Sequence, residues 1–181
     1  MIVEVLGQKR EVEAGTTYEQ IVEEYQVQYD GLIALVAASG KIKELFKTIK
    51  KDCVLDFFTL KDSVGYKTYV RSATMLFLKA VNDVFGKPAL QQCRVQFSVG
   101  NGTYIYVNNA ISVDEDSAGI IKERMQQLVD AKMPYMKKAY GMDDAMELFE
   151  REGMEDKMKL LKYRRSSYVN VYEMDGYYDY Y

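Results

Sequence analysis

Few of the 181 residues could carry out chemistry, and the set is informative chiefly for what it omits. The chain has no histidine and two cysteines, Cys53 and Cys93. Without imidazole, a Ser-His-Asp triad, a histidine base and a histidine-bound metal are excluded within these residues. The cysteines belong to no C-x-x-C pair, so neither a zinc knuckle nor a disulfide framework is implied, and two small half-buried thiols are expected. There is no G-x-x-x-x-G-K-[ST] loop; Gly100-Asn101-Gly102 is too short to cradle phosphates and reads as a turn. What remains is charge. Lys47, Lys50 and Lys51 form one basic cluster, and Lys157, Lys159, Lys162, Arg164 and Arg165 a second. Either could touch phosphate, although runs of this size are usually solvated faces. Residues 1–60 hold seven basic and ten acidic side chains and residues 61–181 seventeen of each, so no domain is basic enough to bind nucleic acid over its whole surface.

The elements that would position a site centre on the stretch from Val70 to Val107. Ala73, Phe77, Ala80, Val81 and Val84 recur at spacings of three and four and predict one apolar helix face, with Lys79, Asn82 and Asp83 on the other. Val95, Phe97 and Val99 alternate with polar residues, and Tyr104 and Tyr106 follow beyond the Gly-Asn-Gly turn. This pattern predicts a hairpin that covers the helix.

Ahead of this stretch, a strand at Ile2–Leu6, a turn at Gly7-Gln8 and a strand at Lys9–Glu13 precede a helix capped by Gly15-Thr16-Thr17. Tyr18, Ile21, Val22 and Tyr25 share a face of that helix. Strands at Leu32–Ala37, Lys41–Leu45 and Cys53–Leu60 complete a β-β-α-β-β-β order, that of a ubiquitin-like β-grasp. Lys61–Tyr69 reads as a polar hinge. After the hairpin, Ser112-x-x-Glu115 has capping-box spacing before a helix to about Lys132, with Ala118, Ile121, Met125 and Leu128 inward. A break at Met133-Pro134 leads to a helix over Met142–Arg151, stopped by Gly153, with Ala145, Leu148 and Phe149 inward. Asp175-Gly176 centres a tyrosine-rich hairpin from Tyr168 to Tyr181, whose rings are either cross-strand pairs or a platform for a base or partner.

V-G-N-G-T-Y, with Asn101, Gly102 and Tyr104, resembles the G-x-x-x-x-N-G-x-Y hairpin of the threonyl-tRNA synthetase editing domain, where it follows a helix opening H-x-x-x-H. Aligned on S-A-T-M-L-F-L-K-A-V, the two histidine positions carry Arg71 and Met75. The β-grasp order and the joining segment K-D-S-V-G-Y are similar to the TGS domain that precedes that editing domain. The A-M-E-L-F helix and terminal strands extend the resemblance over nearly the whole chain. Where the family has a C-x-x-x-H, Tyr181 stands about where the cysteine belongs. The ending Y-Y-D-Y-Y resembles instead nucleoside (uridine) kinases that carry TGS and histidine-stripped editing-like domains ahead of a P-loop domain.

These resemblances imply an α+β fold. A TGS-like β-grasp is expected over 1–61, a hinge over 62–69, and over 70–181 a threonyl/alanyl-tRNA synthetase editing-like α+β domain lacking the metal and catalytic histidines. The function implied is a non-catalytic regulatory, ligand- or partner-binding region of a nucleoside (uridine) kinase whose kinase domain lies beyond Tyr181. The alternative is a synthetase-related tRNA-editing or RNA-binding protein with a degenerate site at Arg71, Met75 and Tyr181. Arg71, Asn101, Gly102 and Tyr104 are the expected ligand cleft, with Arg71 as an anion anchor at the helix start. No cofactor or metal is expected in this segment, ATP and magnesium belonging to the downstream kinase domain. The partners implied are that kinase domain and a nucleotide or RNA ligand. With no eighteen-residue apolar run and no secretory signal pattern, no membrane partner and a cytoplasmic location are expected.

Overall fold

The computed structural model describes residues 1–100, 102–108 and 111–180, and the fold is α+β. The chain divides into two compact units, Met1–Ala73 and Thr74–Tyr181.

In the first unit, strands β1 (Ile2–Val5), β2 (Gln8–Glu11), β3 (Ile33–Ala38), β4 (Lys41–Lys43) and β5 (Cys53–Thr59) form one sheet in the order β2-β1-β5-β3-β4. β1 and β5 run parallel at its centre and the other pairings are antiparallel. The observed element order is the β-β-α-β-β-β read from the sequence. Helix α1 (Tyr18–Tyr25) starts at a full capping box: the Thr17 hydroxyl accepts from Gln20 N, and the Gln20 side chain accepts from Thr17 N. It places Tyr18, Ile21 and Val22 into a core with Val3, Val5, Ile33, Val36 and Leu55, while Tyr25 and Tyr29 meet the ring of Phe57.

Helix α2 (Ser63–Gln92) begins earlier than the periodicity suggested. The expected hinge is helical from Ser63 onward, and its glycine explains why. A Cβ on Gly65 would sit 2.1 Å from the Thr59 carbonyl oxygen, so the glycine lets the helix start against the end of β5. Asp62 fixes the entry by accepting from Thr59 N at 2.7 Å. Near its other end α2 breaks at Gly86 (φ 80°, ψ 174°), and Pro88 falls in the first turn of the following segment, where a missing amide proton costs little. Residues 87–92, beyond the break, are helical.

In the second unit, β6 (Cys93–Val99) and β7 (Gly102–Val107) form the expected hairpin, but it does not cover the helix. Its apolar residues face solvent: Val95, Phe97, Val99, Tyr104 and Tyr106 are all substantially exposed. The register shifts between Val95 and Ser98, breaking the alternation. Helix α3 (Glu115–Asp130) is capped by Asp114, which accepts from Ser117 N at 2.8 Å, and not by Ser112. Of its expected inward residues Leu128 is buried, Ile121 and Met125 are half-buried, and Ala118 is exposed.

The sheet that covers α2 comes from the carboxyl-terminal part. Strands β8 (Met136–Gly141), β9 (Tyr168–Met174) and β10 (Tyr177–Asp179) form an antiparallel sheet in the order β10-β9-β8. The β9–β10 turn lies at Asp175 (φ 45°) and Gly176 (φ 76°), as the sequence indicated. Tyr172, Met174 and Tyr177 pack with Met75, Leu76 and Leu78 of α2. Val169, Val171, Tyr178 and Tyr180 pack on the opposite side with Ala145, Leu148 and Phe149 of α4 (Met142–Arg151) and Leu161 of α5 (Glu155–Leu161). Sequence reading placed α4 at these bounds and missed β8 and α5. Of the described tyrosines of the tail, Tyr172 and Tyr177 thus pack on one side of the sheet and Tyr178 and Tyr180 on the other, while Tyr168 is exposed.

Candidate functional site

The second unit contains a cleft of about 190 Å³. Leu78 and Leu90 of α2, Met154 and Tyr177 supply its apolar walls. Three ion pairs line it: Lys87 Nζ lies 2.7 Å from Glu152 Oε2, Arg94 Nη1 3.8 Å from Asp156 Oδ2, and Lys157 Nζ 2.5 Å from Asp179 Oδ1. The α4–α5 connection reaches α2 because Gly153 turns at φ 71° and its carbonyl accepts from Gln91 Nε2 at 3.1 Å.

Asp179 is the most enclosed of these charges, only 1% exposed. Its carboxylate accepts from Tyr180 N at 2.7 Å and from the Tyr177 hydroxyl at 3.3 Å. A buried carboxylate needs such partners, and here a lysine and two donors supply them. The Lys157 ammonium also lies 5.5 Å from the Tyr180 ring centroid, with the Arg164 guanidinium 5.6 Å from the same ring. The basic run alone reads Lys157 as part of a solvated face; alternation puts Tyr177 and Asp179 on one face of β10, and it is the fold that brings Lys157 to that face.

Cys93 lines the cleft and Cys53 sits in the first core, both more buried than expected. Burial pushes each thiol above its ordinary range, so neither is poised as a thiolate nucleophile at neutral pH.

The described members of the expected site have different surroundings. Met75 is 1% exposed, with its thioether side chain packed among Met174 and Tyr177. Arg71 is exposed in the first unit, eight residues into α2, so it has no free helix-start amides to share with an anion and the reason for naming it an anchor is lost. Gly102 opens β7, and Tyr104 stacks on Phe97 with centroids 5.2 Å apart at 24°. Asn101 and Tyr181 lie outside the described residues. Arginine and methionine do not fit the role of zinc ligands or of a base, and among the described residues no group of three or more His, Cys, Asp or Glu side chains could hold a metal ion. No helix among them is long and apolar enough to cross a membrane.

No protein-family profile matches the chain. It is similar to threonine–tRNA ligases of several bacteria: that of Syntrophotalea carbinolica is 29% identical over 148 residues, covering 78% of this chain and 22% of the relative. That of Thermotoga maritima is 24% identical over 175 residues, 96% of this chain and 26% of the relative. That of Syntrophomonas wolfei is 20% identical over 156 residues, 86% of this chain and 24% of the relative. The chain spans about a quarter of the length of these relatives. It is thus related, at low identity, to threonyl-tRNA synthetases. The expected link to nucleoside kinases draws no support from them.

Proposed function

We propose that this chain is a non-hydrolytic binding region of synthetase ancestry, in which a TGS-type β-grasp precedes an editing-type domain that has lost its chemistry. Met75 carries the reading. At the position of the second editing histidine it is a core residue against β9 and β10, so its surroundings have been rebuilt for packing. The β2-β1-β5-β3-β4 sheet with α1 on one face supports the β-grasp assignment. The cleft suits a small neutral or zwitterionic molecule better than a nucleotide. Its three cations are matched by three carboxylates, and its volume of about 190 Å³ is below that of most ligand pockets, roughly 300–1,000 Å³. Incubation with seryl-tRNA tests the reading. Serine should be released at the uncatalysed rate, whereas release proportional to added protein would refute it.

The finer reading, a regulatory region of a nucleoside kinase, rests on the TGS-like and editing-like order, the missing histidines and the Y-Y-D-Y-Y ending. Its test is whether the protein containing this chain converts uridine to its monophosphate with ATP.

A further inference from the structure

We propose that the part of α2 beyond Gly86 and the β6–β7 hairpin form one hinged arm, which swings about Gly86 to admit a small molecule to the cleft and is held shut by a polar latch. Such a motion presupposes that the cleft is a binding site, as proposed above. Closed, the cleft holds about 190 Å³, below the roughly 300–1,000 Å³ of most ligand pockets. Cys93, Tyr177 and Asp179 along it are all buried. A molecule of ordinary ligand size therefore enters only when a wall moves. Leu78 and Asn82 lie on the part of α2 that Met75 and Lys79 hold in place, and Tyr177 is paired within the three-stranded sheet. The α4–α5 connection is anchored by the buried Phe149 and Leu161 on either side of it. The remaining wall is Lys87, Leu90, Gln91, Cys93, Arg94 and Val95, all beyond Gly86.

Gly86 already leaves the helical conformation, and a glycine can take up other backbone angles there at little steric cost. Beyond it the arm moves as one piece. Asn108 N donates to the Gln92 carbonyl oxygen at 3.3 Å and Asn108 Nδ2 to the Gln92 side-chain oxygen at 3.2 Å, which ties the base of the hairpin to the end of the helix. Swinging it uncovers little core: the hairpin's apolar side chains already face solvent, and Ala89, Cys93 and the half-buried Leu90 are what lose cover. Three contacts latch the arm to the α4–α5 connection and the start of α5: Lys87 with Glu152, Gln91 with the Gly153 carbonyl, and Arg94 with Asp156. Lys87, Gln91 and Arg94 are exposed, and exposed ion pairs are individually weak and screened by salt. Together the three favour closure without fixing it.

Cys93 reports the motion, because it lies in the cleft wall and loses its cover when the arm opens. Iodoacetamide is itself a small neutral molecule, so its reaction at Cys93 measures admission to the cleft. Labelling of the full chain, read by peptide mass spectrometry, compares Cys93 with Cys53 in the first core and with the thiol of an Ala145→Cys variant in the α4 core of the same unit. Cys93 should react at least about tenfold faster than either. Raising the ionic strength from about 0.05 to about 0.5 M should quicken Cys93 alone. Lys87→Gln with Gln91→Ala cuts two of the three tethers and should quicken it about fivefold. Loss of a nearby cation disfavours the thiolate, so that gain cannot come from the thiol's own ionisation. Hydrogen exchange of the unsubstituted protein gives the same comparison without a new thiol: the amides of residues 89–92 should exchange while β9 stays protected. Equal rates at Cys93 and the Ala145→Cys thiol, exchange of residues 89–92 only together with β9, Cys93 labelling as fast as in the unfolded chain, or no response to salt or to the double variant would overturn the arm. Serine release from seryl-tRNA bears on hydrolysis and these rates do not, so the two readings fail separately.

Discussion

Lys79 Nζ lies 2.7 Å from Asp83 Oδ1, one turn along α2, and the lysine is only 4% exposed. The same ammonium donates to the Asp175 carbonyl oxygen at 2.9 Å and lies 3.2 Å from its carboxylate. Arg124 of α3 holds the other oxygen of Asp83 at 2.8 Å. One buried lysine therefore ties α2 to the β9–β10 turn and, through Asp83, to α3. A face that periodicity assigned to solvent is a polar joint within the second unit.

The two partners should respond unequally to substitution. Asp83→Asn leaves a buried ammonium without its closest carboxylate and should cost about 3 kcal/mol. Lys79→Met puts an apolar chain of similar length in the buried site and leaves Asp83 with Arg124, so its loss should be smaller. Urea midpoints of the two variants decide the order; a Lys79→Met protein weaker than Asp83→Asn would contradict it.

Gly65 and Gly119 should respond with opposite signs to alanine. At Gly65 the new Cβ would meet backbone at 2.1 Å, which no side-chain rotation relieves, so α2 must shift from β5 at a cost of about 2 kcal/mol or more. At Gly119, on α3, nothing lies within 4 Å, and the helix gains up to about 1 kcal/mol. Thermal melts of both variants check this pair, and a stabilised Gly65→Ala would show that the close approach does not exist.

Where short-range chemistry determines structure, the sequence was readable. Thr17 as a helix cap, Asp175-Gly176, and the Ala145, Leu148, Phe149 face of α4 all behave as their types and spacings require. One local reading failed, the Ser112 cap, because Asp114 two residues on takes Ser117 N; most of the other failures depend on partners distant in the chain. Phe97 and Val99 alternate correctly for a covered strand, yet whether they are covered is decided by where β9 lies, and β9 took the α2 face instead. Lys79 looked solvent-facing because its oxygen partner Asp175 is 96 residues away. The cleft was missed for the same reason: Lys157 and Asp179 are ordinary charges until α5 and β10 bring them together. Strand β8 carries Lys137 and Lys138 and has no apolar run to announce it.

Burial pushes the Tyr135 hydroxyl up to about 12, and this should appear as an alkaline weakening of the second unit. A tyrosine near 10 when unfolded and near 12 when folded contributes stability that is intact below pH 10. That contribution is lost as pH rises from about 10 to 12, because only the unfolded chain then gains by ionising. Tyr135→Phe removes the group and should flatten the pH dependence in that window by up to about 2 kcal/mol. Urea unfolding at pH 9 and pH 11.5 gives the comparison, and parallel losses in wild type and variant would count against the assignment.

Restoring histidine at Arg71 and Met75 should not create an esterase. At Met75 the imidazole would enter a space 1% exposed and lined by Met174 and Tyr177, where burial favours its neutral form and leaves its ring nitrogens short of partners. At Arg71 it would sit on an exposed stretch of α2 in the first unit, away from any helix-start amides. A general base contributes typically about 10² to 10⁴-fold, but only within hydrogen-bond reach of the proton it removes. The double variant should therefore leave seryl-tRNA at its uncatalysed rate and lose about 2 kcal/mol of stability from the buried polar ring. Deacylation assays run beside urea unfolding separate the two effects. A folded double variant that releases serine in proportion to its concentration would mean that Met75 stands over a working cleft, not in a core.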